Sequence, residues 1–201
     1  MILVDFLGHG RSDRLDEFPA NLWQEEARQT IALLKHLNCG KASLVGSSGG
    51  AWAAINAGLL RPDLVEKVVA DSFDGRTLAK NFVQNLINER AGAKQDGQAV
   101  WFYQWCQGEN WERIVDMDTR ALVRCAEEKN PLFIKPLSEL KVPLLLLGSR
   151  GDEMTRPDFQ EEYEAMARET GAEICLLSEG GHPAILSKAE QAAEFICKFL
   201  H

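Results

Sequence analysis

Two serines sit between glycines in SLVGSSGGAWAA, residues 43–54. Gly46, Ser48 and Gly50 form a G-x-S-x-G pattern, placed between an apolar run and an alanine-rich segment. Such a pattern suits a nucleophile elbow, a cramped strand-to-helix bend that holds a serine hydroxyl clear of its neighbours. The two flanking glycines are needed because strand and helix come too close for side chains there. Ser48 is therefore the expected nucleophile and Ser47 the variable position. A glycine-rich phosphate cradle would need a following lysine, and none is present. The helix starting at Gly49 would aim its N–H at the reacting oxygen, which makes Gly49 the expected oxyanion donor.

A serine needs a base, and the base needs an orienting acid. Of four histidines, His201 ends the chain, His36 falls on an amphipathic helix and His9 lies in the first turn. His182, in the glycine-rich SEGGHPA after a strand-like segment, follows the serine in the expected order of serine, acid, histidine. Asp152 ends VPLLLLGSRGD and is the expected acid. Glu153 is its neighbour, and Asp71 and Asp74, after an earlier strand, are a second possible source of the carboxylate.

These side chains must be carried by regular elements. Apolar runs predict strands at residues 2–6, 42–45, 67–72, 142–147 and 173–177. Trp23, Ala27, Ile31, Leu34 and Leu37 recur at helical spacing and predict a helix over residues 21–37, stopped at Asn38 and Gly40. Further helices are expected from Gly49 to Leu60, from Pro157 as a first helical residue to Gly171, and from Ser187, with Glu190 completing a capping box. Alternating strands and helices predict an α/β fold, a mostly parallel sheet with helices on both faces. Residues 74–140 read as helices alone and as an insertion. The expected division is a core of residues 1–73 and 141–201 with a helical cap at 74–140.

The cap crowds Trp101, Phe102, Tyr103, Trp105 and Trp111 into eleven residues. They are expected to form the cap's own small core, with one or two facing a substrate. Trp101 and Trp105 are the candidates for that contact, with Phe73 at the pocket mouth. Trp52 is expected to pack under the elbow helix. Arg11 and Ser12 are expected to tie down the first turn, and Arg11 could meet a substrate carboxylate.

At 201 residues the chain can bury one sizeable core. A net charge of −8, without a basic patch, disfavours nucleic acid and anionic membrane as partners. No apolar run approaches the roughly 20 residues of a membrane span, and MILVDFLGHG lacks the basic start of a signal peptide. Five scattered cysteines without a CxxC pair argue against a disulfide framework or zinc site, and mostly buried thiols are expected. The expected setting is the cytoplasm, with a small-molecule substrate and neither metal nor cofactor.

Taken together, DFLGHGRSD (residues 5–13), GSSGG, GSRGD and GGH resemble the motifs of the α/β-hydrolase superfamily over the whole chain. The resemblance implies that residues 2–6 match the family's fourth strand, GSSGG the elbow after the fifth, and 74–140 the cap. It departs from the family in beginning there: the first three strands, and the His-Gly turn supplying the second oxyanion N–H, have no counterpart. The fold expected is thus an N-terminally truncated α/β-hydrolase. Three arrangements could follow: residues 2–6 pair directly with 42–45, another chain fills the slot, or the chain is a fragment. Exposed strand edges would also favour a homo-oligomer. The function expected is a serine hydrolase of small acyl esters or amides, impaired if one oxyanion donor is missing. The alternative is a remnant of the fold that binds a small hydrophobic ligand or a protein partner.

Overall fold

The computed structural model describes residues 1–201. In chain order the elements are α1 (Leu22–Leu37), β1 (Ala42–Ser47), α2 (Gly49–Leu60), β2 (Val65–Asp71), α3 (Phe82–Ala93), α4 (Gly97–Gln107), α5 (Trp111–Glu127), β3 (Leu144–Ser149), α6 (Phe159–Thr170), β4 (Glu173–Leu177), α7 (Ala184–Ser187) and α8 (Ala189–Leu200). They group into two compact units: residues 23–78 with 132–201, and residues 1–22 with 79–131. The division expected from the sequence differs at residues 1–22, which group with the helices of 79–131, and at residues 74–78 and 132–140, which group with the sheet. No helix is long and apolar enough to cross a membrane.

The first unit is a four-stranded sheet in the order β1-β2-β3-β4, every pair parallel. Parallel strands need crossovers, and α2, the helical excursion after β2, and α6 supply them. β3 is buried along its length, which is why VPLLLL carries no alternation. Adjacent residues face opposite sides of the sheet. Val69, Leu145 and Leu147 pack with Leu177 against Ala184, Ala192 and Ile196 from α7 and α8. On the other side Val68 lies under Gly58 of α2, and Gly148 lies under Phe159 and Tyr163 of α6. The elements that would carry Ser48, Asp152 and His182 therefore share one core.

α2 is apolar nearly all round, yet it buries Asn56 completely. The Asn56 side chain donates Nδ2–H to the Leu132 carbonyl at 2.9 Å and accepts the Ile134 N–H at 2.8 Å. It thus pins the returning chain to α2. In α6, Phe159, Tyr163 and Met166 form the expected buried face, and Gly171 ends the helix in the left-handed region. Asn38 likewise turns left-handed after α1.

In the second unit α5 buries Trp111, Ile114, Val115, Met117, Ala121, Leu122 and Cys125 along one stripe. Asp96 caps α4 by accepting the N–H groups of Gln98 and Ala99. Arg90 of α3 donates to the Tyr103 hydroxyl and to Asp118, and Tyr103 stacks on Trp111. The first turn is held by Asp5, whose carboxylate accepts the Arg11 N–H and whose carbonyl accepts the Ser12 hydroxyl. Gly10 donates its N–H to the Gln107 side chain.

Four local expectations are corrected. Residues 2–6 form no strand and do not pair with residues 42–45; Ile2 and Leu3 are exposed and β1 is an edge strand. An apolar run becomes a strand only where a neighbour takes its backbone hydrogen bonds, and none does here. Pro157 lies outside α6, because Asp158 is the N-cap. Ser187 does not cap α8; its hydroxyl donates to the Gly181 and Pro183 carbonyls. Only Cys125 is buried, with Cys39 and Cys197 exposed and Cys106 and Cys175 between.

Replacing Asn56 by alanine would leave the Leu132 carbonyl and the Ile134 N–H without their partner. We expect about 2–4 kcal/mol lower stability, measured by urea unfolding, and a loss below about 0.5 kcal/mol would contradict this pinning role.

Candidate active site

Ser48 stands between β1 and α2 with φ 53° and ψ −123°, a backbone region that serine rarely occupies. Two neighbours hold it there. The Ser48 N–H donates to the Asp71 carbonyl at 2.8 Å, extending the β1–β2 ladder, and the Ala51 N–H closes the first helical turn onto the Ser48 carbonyl. A side chain on Gly46 would collide with the Gly50 carbonyl, so the elbow can close only with glycine at 46. A Cβ on Gly49 would lie 2.7 Å from Trp23 Nε1, whose ring is stacked on Trp52. Gly49 is the first residue of α2, so its N–H has no acceptor within the helix.

His182 Nε2 lies 3.0 Å from Ser48 Oγ. On the far side of the ring, Nδ1 lies 2.9 Å from Asp152 Oδ2 and 3.1 Å from Oδ1. Asp152 also accepts the N–H groups of Met154 and Thr155. The structure thus joins the three residues singled out in the sequence, although 134 positions separate the first from the last.

The electrostatics follow the geometry. Burial alone would push the Asp152 carboxyl up, but the hydrogen bond and charge of His182, with the two backbone donors, hold it below its ordinary value. Burial would lower the His182 imidazole, yet Asp152, then the charges of Asp71 and Glu153, raise it above its ordinary value. Nδ1–H is therefore directed to the carboxylate, which leaves Nε2 free to accept the serine proton.

The loops carrying acid and histidine are tied to each other. Ser149, fully buried at the end of β3, donates its hydroxyl to the Gly180 carbonyl, and the Arg150 N–H donates to the Leu177 carbonyl. Sequence reading missed Ser149, because a lone serine after a strand carries no signal of its partner. Asp71, the second possible carboxylate, bonds elsewhere: its oxygens meet Ser47, Ser72 and the Ile185 N–H, while Asp152 lies against Nδ1. Asp74 accepts the Arg156 N–H and serves its loop.

The expected substrate residues fare differently. Phe73 is a core residue: it is 2 % exposed, edge-on to Trp52 and against Tyr163, so it does not line an open mouth. The run LVEKVVADSF gave no sign of this, because a phenylalanine at a strand exit suits core and pocket equally. Trp52 packs under the elbow as expected and donates Nε1–H to the Gly75 carbonyl. Trp101 and Trp105 stack on each other on α4, 65 % and 73 % exposed. They are not the core of their unit; Trp111 is buried there, and the half-buried Tyr103 stacks on its ring.

Comparison with known proteins agrees with this architecture. The model of the alpha/beta hydrolase family matches residues 1–195. The chain is 28% identical to the "Putative carbamate hydrolase RutD" of Pseudomonas syringae pv. syringae (strain B728a) over 201 residues, covering 90% of this chain and 76% of that protein. NosK from Streptomyces actuosus has a similar structure, with a TM-score of 0.74 at 21% identity over 98% of this chain and 83% of that one. The CarC enzyme, a serine hydrolase involved in carbazole degradation, has a TM-score of 0.71 at 20% identity, over 98% and 77%. With a family match over nearly its whole length, a parallel sheet and a serine elbow, this chain belongs to the alpha/beta hydrolase family.

Proposed function

We propose that this chain is a serine hydrolase that opens small acyl esters or amides through an acyl-enzyme on Ser48. Family membership supports hydrolysis in general. The observation that carries the finer reading is the continuous relay from Ser48 Oγ through His182 to Asp152, with contacts of 3.0 and 2.9 Å. The curated relative named for carbamate hydrolysis favours a substrate with an acyl-type carbonyl.

In the first half-reaction Ser48 Oγ attacks the carbonyl carbon while His182 Nε2 takes its proton. The negative charge moves to the carbonyl oxygen, where the Gly49 N–H donates. His182 then gives the proton to the departing alcohol or amine, and the acyl group remains on Ser48. In the second half-reaction water replaces the leaving group: His182 takes a proton from it, the oxygen attacks the ester carbonyl, and the proton returns to Ser48 as the acid departs. Asp152 keeps the ring in one tautomer and stabilises the imidazolium formed in each half.

A fluorophosphonate probe should label the wild-type chain and should not label Ser48→Ala, read by mass spectrometry of the modified peptide. A wild type that stays unlabelled would favour the non-catalytic, ligand-binding alternative.

Because His182 must be neutral to accept the proton, turnover should fall as pH drops through its raised value. The acidic limb of kcat/KM for p-nitrophenyl butyrate is expected above the ordinary histidine value of about 6.5. Asp152→Asn should lower kcat by about 10⁴ and move that limb to lower pH. An unmoved limb in this variant would argue against Asp152 as the orienter.

A further inference from the structure

Asp71 is a carboxylate with no exposure at all, and no cation pairs with it. Burying a charge in this way is costly unless strong hydrogen bonds replace the lost water. Its partners are specific. Oδ2 accepts the Ser47 hydroxyl at 2.9 Å and the Ile185 N–H at 3.2 Å, and Oδ1 accepts the Ser72 hydroxyl at 3.0 Å. The Ser72 hydroxyl in turn accepts the Ala184 N–H at 2.9 Å. The Asp71 carbonyl accepts the Ser48 N–H.

These five contacts reach two loops. Ser47 and Ser48 are the elbow, and Ala184 and Ile185 follow His182 by two and three residues. Neither loop is otherwise bonded to the other near the reacting atoms except through the Ser48–His182 contact itself. Ser72 takes a left-handed backbone, φ 53°, at the exit of β2 while its hydroxyl makes these bonds. We infer that Asp71, with Ser72 as its extension, is a positioning residue that sets the distance between Ser48 Oγ and His182 Nε2.

This inference rests on the acyl-enzyme reading. The reason for a carboxylate here, where a neutral acceptor could make the same bonds, lies in its charge. It holds the elbow hydroxyl and the backbone N–H more firmly than a neutral group, and, although burial raises the Asp71 carboxyl itself, its charge acts with those of Asp152 and Glu153 to raise the His182 imidazole. Asp71 therefore does two things at once: it fixes the ring's place and favours the imidazolium that forms during catalysis.

The test uses the full chain and the fluorophosphonate probe, with labelling rates from about pH 5 to about pH 9. Asp71→Asn keeps the shape and removes the charge. It should unfold cooperatively in urea like the wild type, label about tenfold to a hundredfold more slowly, and move the acidic limb to lower pH. KM for p-nitrophenyl butyrate should stay within about twofold while kcat falls. Wild-type rates and an unmoved limb in Asp71→Asn, with Ser48 still labelled in the wild type, would overturn the positioning role and leave the function intact. A wild type that is not labelled at Ser48 overturns both. If Asp71→Asn loses cooperative unfolding, Ser47→Ala decides. It removes one donor from a half-buried position, and labelling slower by about threefold or more supports the inference, whereas the wild-type rate overturns it.

Discussion

The close approach of β1 and α2 at the elbow is the constraint on which the rest depends. Ser48 can hold its strained backbone only because Gly46 leaves room for the Gly50 carbonyl and because the ladder to β2 captures the Ser48 N–H. A strained residue persists when its surroundings over-determine it, and here they do. The strand comes in fixed by pairing with β2, and the helix leaves fixed by burial on every side from Ala51 to Leu59.

Once the elbow is set, the parallel sheet explains why three distant residues meet. In a parallel arrangement all strands end at the same edge, so the loops leaving β1, β3 and β4 emerge side by side. Ser48, Asp152 and His182 each follow one of those strands. The remaining precision comes from small polar residues at the strand ends, where Asp71, Ser72 and Ser149 knit one loop to the next. The Ser72 bonds are buried and those of Ser149 partly so, which makes them costly to break.

The helical unit is built on different terms. α5 supplies an amphipathic stripe, Arg90 and Asp118 share a polar centre, and α4 buries no residue. Burial raises the Asp118 carboxyl and the partner Arg90 brings it back toward ionisation. On α4 the indoles of Trp101 and Trp105 stack on each other and stay exposed.

How much of this was legible in the residues follows from the range of the forces involved. The elbow could be read because its sterics act within five consecutive positions, although of the two flanking glycines only Gly46 is crowded and a side chain at Gly50 would meet open space, so the second glycine is not required there. Buried strands and amphipathic helices could be read because their periodicity is local, as Phe159, Tyr163 and Met166 illustrate. His182 and Asp152 could be read from their order and their strand-end settings. What the chain did not disclose locally was any property that depends on a neighbour far along it. Residues 2–6 look like a strand but lack a partner, Phe73 looks available but is enclosed by Trp52 and Tyr163, and Ser187 looks like a cap but bonds to Gly181. The amino-acid sequence by itself determined which side chains could do chemistry, because local sterics and patterning select them. Only the tertiary structure decided how they are held, because the hydrogen bonds of Asp71, Ser72 and Ser149 span up to 114 residues and exist only when the sheet has formed.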